Sequence, residues 1–180
     1  VSEWIRWCTR LGVDTLVCHP FTAEGVSEEK LERVNLIGFK SLSRVAEECG
    51  VTLAVENMAR GFGSCAAHIL RLIREYPALA ACIDTGHANI CAYRGKVHEL
   101  VMELGGHIAA THVSDNDGSS DQHLFPGKGV IDWPSVLDAL RGAGYRKPLN
   151  LEIPGELKLC PDPSARVEYL LGLIRGFCAL

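Results

Sequence analysis

Residues 108–129 read IAATHVSDNDGSSDQHLFPGKG, and the fold turns on how this stretch is taken. A short apolar run, Ile108 to Val113, has the look of a strand and passes straight into a polar loop. The eighteen residues from His112 to Gly129 hold two imidazoles, three aspartates, an asparagine and a Pro-Gly-Lys-Gly turn. An ordinary connecting loop carries less metal-binding and acid–base chemistry than this. Because the stretch begins at the end of a strand, the ends of the other strands are the places to look for its partners.

Apolar residues at Trp4, Ile5, Trp7, Cys8 and Leu11 follow a helical period and predict a helix over 3–11, stopped by Gly12. Thr15 to Cys18 is the first strand and ends at His19-Pro20. An amphipathic helix runs from Ser27 to Cys49, with Gly50 as its stop, and a second strand, Val51 to Val55, ends at Glu56-Asn57. A glycine-rich loop leads to a helix over 65–76, and the strand Leu79 to Ile83 ends at Asp84. Residues 89–104 read as one helix stopped by Gly105-Gly106. After strand Ile108 to Val113 and the polar loop, Asp132 is the expected N-cap of a helix over 133–140, with Pro134 in its first turn. A strand from Leu149 to Ile153 contains Glu152, and Ser164 to Phe177 is the last helix.

Strands and helices alternate without hairpin signals, which predicts parallel βα units. His19, Glu56, Asp84, His112 and Glu152 each fall at or beside the carboxyl end of a strand, 37, 28, 28 and 40 residues apart. An eight-unit barrel of roughly 250 residues uses about 30 residues per unit, so each interval is one unit. Successive strand ends are neighbours, and in such a barrel that face carries the active site. The expected fold is α/β, a (β/α) TIM-barrel type with parallel strands in a single domain over residues 1–180. About five units are recognisable where the barrel needs eight, so an N-terminally incomplete barrel is expected. Its open apolar strand edges favour association, and a homo-oligomer is an expected arrangement.

The chain has 180 residues, 47% of them hydrophobic, and a net charge of −4. That is enough for a sizeable core, and the acidity argues against a nucleic-acid partner, which calls for a basic face. The eight cysteines include no CxxC pair, and several sit among apolar residues, as Cys18 and Cys82 do; reduced, structural thiols are expected. No run reaches the length of a membrane span, and VSEWIRWCTR lacks the order of a signal peptide, so a cytoplasmic location is expected.

Taken singly, the strand-end residues have bland explanations. Glu56 could cap the following segment, Asp84 could serve an Asx turn, and His112 could be a satisfied core histidine. Glu152, between Leu151 and Ile153, resists this treatment, because a buried carboxylate is costly unless paired or bound to a cation. Together, Glu56, Asp84, His112 and Glu152 form a mixed carboxylate and imidazole set suited to Mn²⁺ or Zn²⁺, with Co²⁺ or Mg²⁺ as alternatives. His87, Asp121 and His123 could hold a further metal or grip a substrate, or could be ordinary loop residues. His68 and His98 lie within helices and His107 opens its strand at the far end of the barrel, so these three are read as structural. PGKG at 126–129 lacks P-loop spacing; Lys128 could cover a polyhydroxy or anionic substrate or simply be solvated.

The order H-P, E-N, D-x-G-H, H-V-S-D-N, D-x-H, P-G-x-G-x-I-D-W and L-E-I resembles the xylose-isomerase-like barrel superfamily, particularly its sugar phosphate isomerase/epimerase group. The likeness runs from about Leu16 to Pro154, and IDTGHAN and DQHLFPGKGVIDW are its most specific parts. It implies a metal-dependent sugar isomerase or epimerase acting on a small-molecule sugar. Glu56, Asp84, His112 and Glu152 would then bind one divalent metal, Glu56 and Glu152 would act as the acid/base pair, and His87 would contact substrate. His19 and Lys128 join His87 as expected substrate contacts. The likeness extends to apurinic endonucleases of the endonuclease IV type, in which residues matching His19, His87, Asp121 and His123 complete a multinuclear zinc site. Zinc-dependent phosphodiester cleavage is therefore an alternative activity, and a binding-only partial barrel is another. The endonucleases typically carry a lysine after the H-x-N-D segment, where this chain reads HVSDNDG.

Overall fold

Helix follows strand along the chain much as the apolar spacing predicts. The computed structural model describes residues 1–160 and 162–178. Its elements are α1 (Ser2–Leu11), β1 (Thr15–Cys18), α2 (Glu28–Cys49), β2 (Thr52–Glu56), α3 (Ala66–Glu75), β3 (Leu79–Asp84), α4 (Thr85–Asn89), α5 (Val97–Leu104), β4 (Ile108–Val113), α6 (Trp133–Gly142), β5 (Asn150–Leu151), α7 (Pro154–Leu159) and α8 (Arg166–Phe177). The expected stops operate: Gly12 and Gly50 adopt φ of 68° and 64°, a left-handed conformation that costs glycine little, and close α1 and α2. Ser27 accepts from the Lys30 amide at the start of α2, and Asp132 accepts from the Ser135 amide at the start of α6.

All five strands are parallel and each pairs with its neighbour in sequence, in the order β1-β2-β3-β4-β5. This is the arrangement of a half-barrel built from successive βα units. Helices α1, α2, α3, α5 and α6 cover its outer face with Ile5, Phe39, Ile69, Leu72, Leu100, Leu104, Trp133 and Val136, all buried. Each such side chain contributes about 1.5–3 kcal/mol by leaving water. Strands β2 and β3 are buried almost throughout, whereas β1 is half-buried along its length, as an edge strand should be. The sheet curls enough that Lys147, just before β5, donates to Thr15 Oγ1 on β1 at 3.0 Å. A cleft of about 400 Å³ between these edges is lined by Thr15, Val17, Ala109, Thr111 and Asn150 and reaches His112.

Three boundaries differ from the sequence expectation. The single helix over 89–104 is two helices, because Asp84 caps α4 and the Asn89 side chain accepts from the Gly95 amide at 2.9 Å, closing a turn before α5 begins. The strand expected over 149–153 is assigned only at Asn150–Leu151, although the Glu152 amide still donates to the Val113 carbonyl and extends the pairing. Pro154 then starts α7, a helix that apolar spacing gave no reason to expect. All eight cysteines are free thiols, and among the described residues no helix is long and apolar enough to cross a membrane.

The polar loop after β4 is anchored by Asp115, which is fully buried. Its carboxylate accepts from the amides of Asn116, Gly127 and Ile131 and from Trp133 Nε1, at 2.8, 2.8, 3.3 and 2.8 Å. The Pro-Gly-Lys-Gly turn is thereby tied to the start of α6. Lys128 is directed to the last helix, where Nζ donates to Tyr169 Oη at 2.6 Å.

Candidate active site at the strand ends

Parallel pairing in this register brings the predicted residues to one end of the sheet. Asp84 and His112 are direct register partners on β3 and β4, Glu56 ends β2, and His19 and Glu152 lie one residue past β1 and β5. Glu56 is the hub. Its Oε2 lies 2.9 Å from His112 Nδ1 and 3.1 Å from His19 Nε2, and its Oε1 lies 3.3 Å from His87 Nδ1. Glu152 Oε2 approaches the same His112 Nδ1 from the other side at 3.0 Å.

These short distances are mostly not hydrogen bonds. His112 Nδ1 and Asp84 Oδ2 are buried without a hydrogen-bond partner, although charged atoms surround them. Orphaned polar atoms of this kind are rare and call for an explanation. The donors point into shared space rather than at one another, as ligands around a cation do. Asp84, His112 and Glu152 offer donor atoms within 4.8 Å of one another, and so do Glu56, Asp84 and His87. The set fits a divalent cation by donor type as well as by placement.

A second group forms beside the first. His87 Nε2 and His123 Nε2 lie 3.4 and 2.9 Å from Asp121 Oδ2. In both rings Nδ1 faces a backbone carbonyl, Asn57 for His87 and Glu152 for His123, each at 3.0 Å. A carbonyl can only accept, so Nδ1 donates in both rings, and a cation at this group would meet Nε2. Fixing the ring orientation in this way is how metal-ligating histidines are commonly held. His123 also has a φ of 49°, unusual for a residue with a side chain and worth roughly 1–3 kcal/mol of strain that its surroundings must sustain.

The charges are strongly coupled. Burial pushes Glu56 upward, but the adjacent His112 and His87 rings outweigh it and hold its carboxyl at about 2. Burial raises Asp84 to about 6 against the opposing pull of His87. Burial disfavours a charged His87, yet Asp121 and Glu56 lift it to about 11; His112 is raised by Glu56. In the metal-free protein His87 therefore holds its extra proton at neutral pH and His112 holds one more firmly than an ordinary imidazole, and a cation bound by either ring must displace it. Metal uptake at pH 7 should release protons, and apparent affinity should fall as pH is lowered. Calorimetry in buffers of different ionisation enthalpy checks this; a binding heat independent of buffer would contradict it.

Sequence reasoning missed several participants. Cys82, read as a small hydrophobe, places its sulfur with the Glu56 and His112 donor atoms in another group within 4.8 Å. Its signal was position, two residues before Asp84 on one strand and so on the same face. Asn116 bonds the Gly86 carbonyl and accepts from Asn89, clamping α4, and Thr85 Oγ1 donates to the Ser114 carbonyl. His68, by contrast, is structural as expected: Nδ1 accepts from the Gly63 amide and Nε2 faces Glu28.

A parallel sheet with its polar side chains gathered at the carboxyl ends of the strands defines a (β/α)-barrel site. Residues 1–175 match the model of the xylose isomerase-like TIM barrels, and the chain belongs to that family. It is 31% identical to the uncharacterized protein y4fM of Sinorhizobium fredii over 80% of this chain and 48% of that one. It is 28% identical to a probable endonuclease 4 of Aquifex aeolicus over 88% of this chain and 63% of that one. Among solved structures, a D-tagatose 3-epimerase-like protein superposes with a TM-score of 0.78 at 24% identity, covering 98% of this chain and 69% of the other. The IOLI protein, solved with a binding zinc atom, gives 0.73 at 22% identity, covering 88% and 61%. The chain spans about half to two thirds of the length of the curated relatives it matches.

Proposed function

We propose that this chain carries the metal-binding and proton-transfer site of a sugar isomerase or epimerase. Glu56, Asp84, His112 and Glu152 hold a divalent cation, with Mn²⁺ or Zn²⁺ ahead of Co²⁺ and Mg²⁺, and Glu56 and Glu152 move protons at the carbon beside the sugar carbonyl. The observation that carries the reading is the placement of two carboxylates on either side of one buried, unpartnered His112 nitrogen, with the unpartnered Asp84 oxygen beside it. The likeness in fold to epimerases supports it.

The cation would polarise the carbonyl and stabilise negative charge that develops on its oxygen. Glu152, 40% exposed and touching one imidazole, faces the open side and takes the substrate proton. Glu56, 2% exposed and bracketed by three imidazoles, is ionised at rest and would return a proton to the enediolate by relaying one from those rings. His87 and His19 would grip substrate hydroxyls.

Metal analysis after reconstitution tests this. One tightly held cation per chain is expected, and its removal by chelator should abolish hydrogen exchange on free ketoses. Failure of the chain to hold any cation would overturn the reading. A second reading rests on the preset His87, Asp121 and His123 nitrogens and oxygen: these suit a further metal, and phosphodiester hydrolysis with several cations is the chemistry they would serve. More than one cation per chain, with cleavage at abasic sites in DNA, would favour it.

A further inference from the structure

Asn57 follows Glu56 directly, and its side chain is 1% exposed. Its amide reaches across to the next strand end and makes two hydrogen bonds to one residue: Oδ1 accepts from the Asp84 amide at 2.7 Å, and Nδ2 donates to the Asp84 carbonyl at 2.9 Å. Strand pairing between β2 and β3 runs to Glu56 against Cys82 and closes with the Asn57 main-chain amide donating to the Cys82 carbonyl at 3.3 Å, and the Asn57 side chain extends the ladder beyond that bond. Its own carbonyl receives His87 Nδ1. One residue therefore fixes the backbone of Asp84 with its side chain and the ring orientation of His87 with its main chain.

The consequence reaches the donor atoms. With its backbone held, Asp84 caps α4 through Oδ1, which accepts from the His87 amide at 2.7 Å. That leaves Oδ2 turned into the cluster, buried and without a partner. We infer that Asn57 is a positioning residue for the cation: it presets Asp84 Oδ2, acting through the backbone rather than by touching the ion. This rests on the metal reading above and adds the device that prepares the site before a cation arrives. Substituting partners of this kind commonly costs about 10- to 100-fold in metal affinity.

The test is a double-mutant cycle on the full chain, titrated with Mn²⁺ well below the melting temperature of every variant. Asn57→Ala should weaken Mn²⁺ binding by about 10- to 100-fold. Asp84→Asn should weaken it at least as much, and adding Asn57→Ala to Asp84→Asn should cause little further loss, because both act through one oxygen. The electron paramagnetic resonance spectrum of Mn²⁺ bound to Asn57→Ala should shift toward that of Asp84→Asn. A purely structural asparagine would lower the melting temperature and leave affinity and spectrum unchanged; that result, or fully additive losses, overturns the inference while the metal reading stands. If the unaltered chain binds no Mn²⁺, Zn²⁺ or Co²⁺, the metal reading falls and this inference falls with it.

Discussion

Glu152→Gln should reduce solvent-deuterium incorporation into a ketose by about 10²- to 10⁴-fold, the range that a positioned proton-transfer group supplies. The choice of Glu152 over Glu56 follows from burial. Glu56 is sealed among His19, His87 and His112, and removing its charge would release three imidazoles at once, mixing chemistry with collapse of the network. Glu152 is 40% exposed and meets only the His112 ring among those imidazoles, while its backbone carbonyl, which holds His123, survives the substitution. Glutamine keeps the shape and one oxygen able to face a cation but cannot accept the proton. The variant should fold as the parent does by circular dichroism and still take up metal, more weakly. Mass spectrometry of a panel of free ketoses in D₂O reads the exchange, and an unchanged rate would remove Glu152 from the reaction.

The strand-end residues were legible because two periodicities coincide. Strand alternation aims every second side chain at one face, and the βα repeat returns the chain to the same end about every 30 residues. A charged residue closing an apolar run therefore declares its address without any knowledge of the loops. What could not be read was the set of polar contacts that hold those residues still. Asn57, Ser114 and Asn116 are nearly or fully buried, yet each looks in sequence like an ordinary loop residue following a strand. Asn57 and Asn116 bond backbone groups of Asp84 and Gly86, and the Ser114 backbone bonds the Thr85 hydroxyl, each some 30 residues away, and contacts made through the backbone leave no mark in a sequence pattern. The split of the helix over 89–104 has the same origin. Its apolar spacing is real, but Asp84 and Asn89 satisfy the ends of a shorter helix, and side-chain capping outranks periodicity there. Lys128 shows the same limit: a glycine-flanked lysine is read in sequence as a substrate contact, and the structure adds what no pattern shows, that Asp115 holds its turn and that Nζ donates to Tyr169 Oη on the last helix.

Gly86→Ala should strip the site of metal while Ser114→Ala, added to it, restores binding. A Cβ on Gly86 would stand 2.5 Å from Ser114 Oγ and 3.3 Å from one oxygen each of Asp84 and Asp121. The two carboxylates belong to the cluster, and pressed against Ser114 the added methyl displaces them or the α4 turn that carries His87. Overpacking of this kind typically costs about 1–3 kcal/mol, and here the displacement falls on several donor atoms together. Loss of metal affinity by about 100-fold or more is expected, since even a single supporting contact is worth 10- to 100-fold. The remedy is written in the same contacts. Ser114 Oγ is buried and has no hydrogen-bond partner, so deleting it sacrifices no bond and removes the one atom that stands closer than van der Waals contact allows. The remaining 3.3 Å approaches need only a few tenths of an ångström from two carboxylates. Ser114→Ala alone should therefore bind Mn²⁺ about as the parent does, Gly86→Ala should not, and the pair should recover most of the affinity in an equilibrium titration. If Gly86→Ala binds normally, the α4 turn is not held against β4 as described. If the pair binds no better than Gly86→Ala, the obstruction lies in the backbone of the turn and not in the serine hydroxyl.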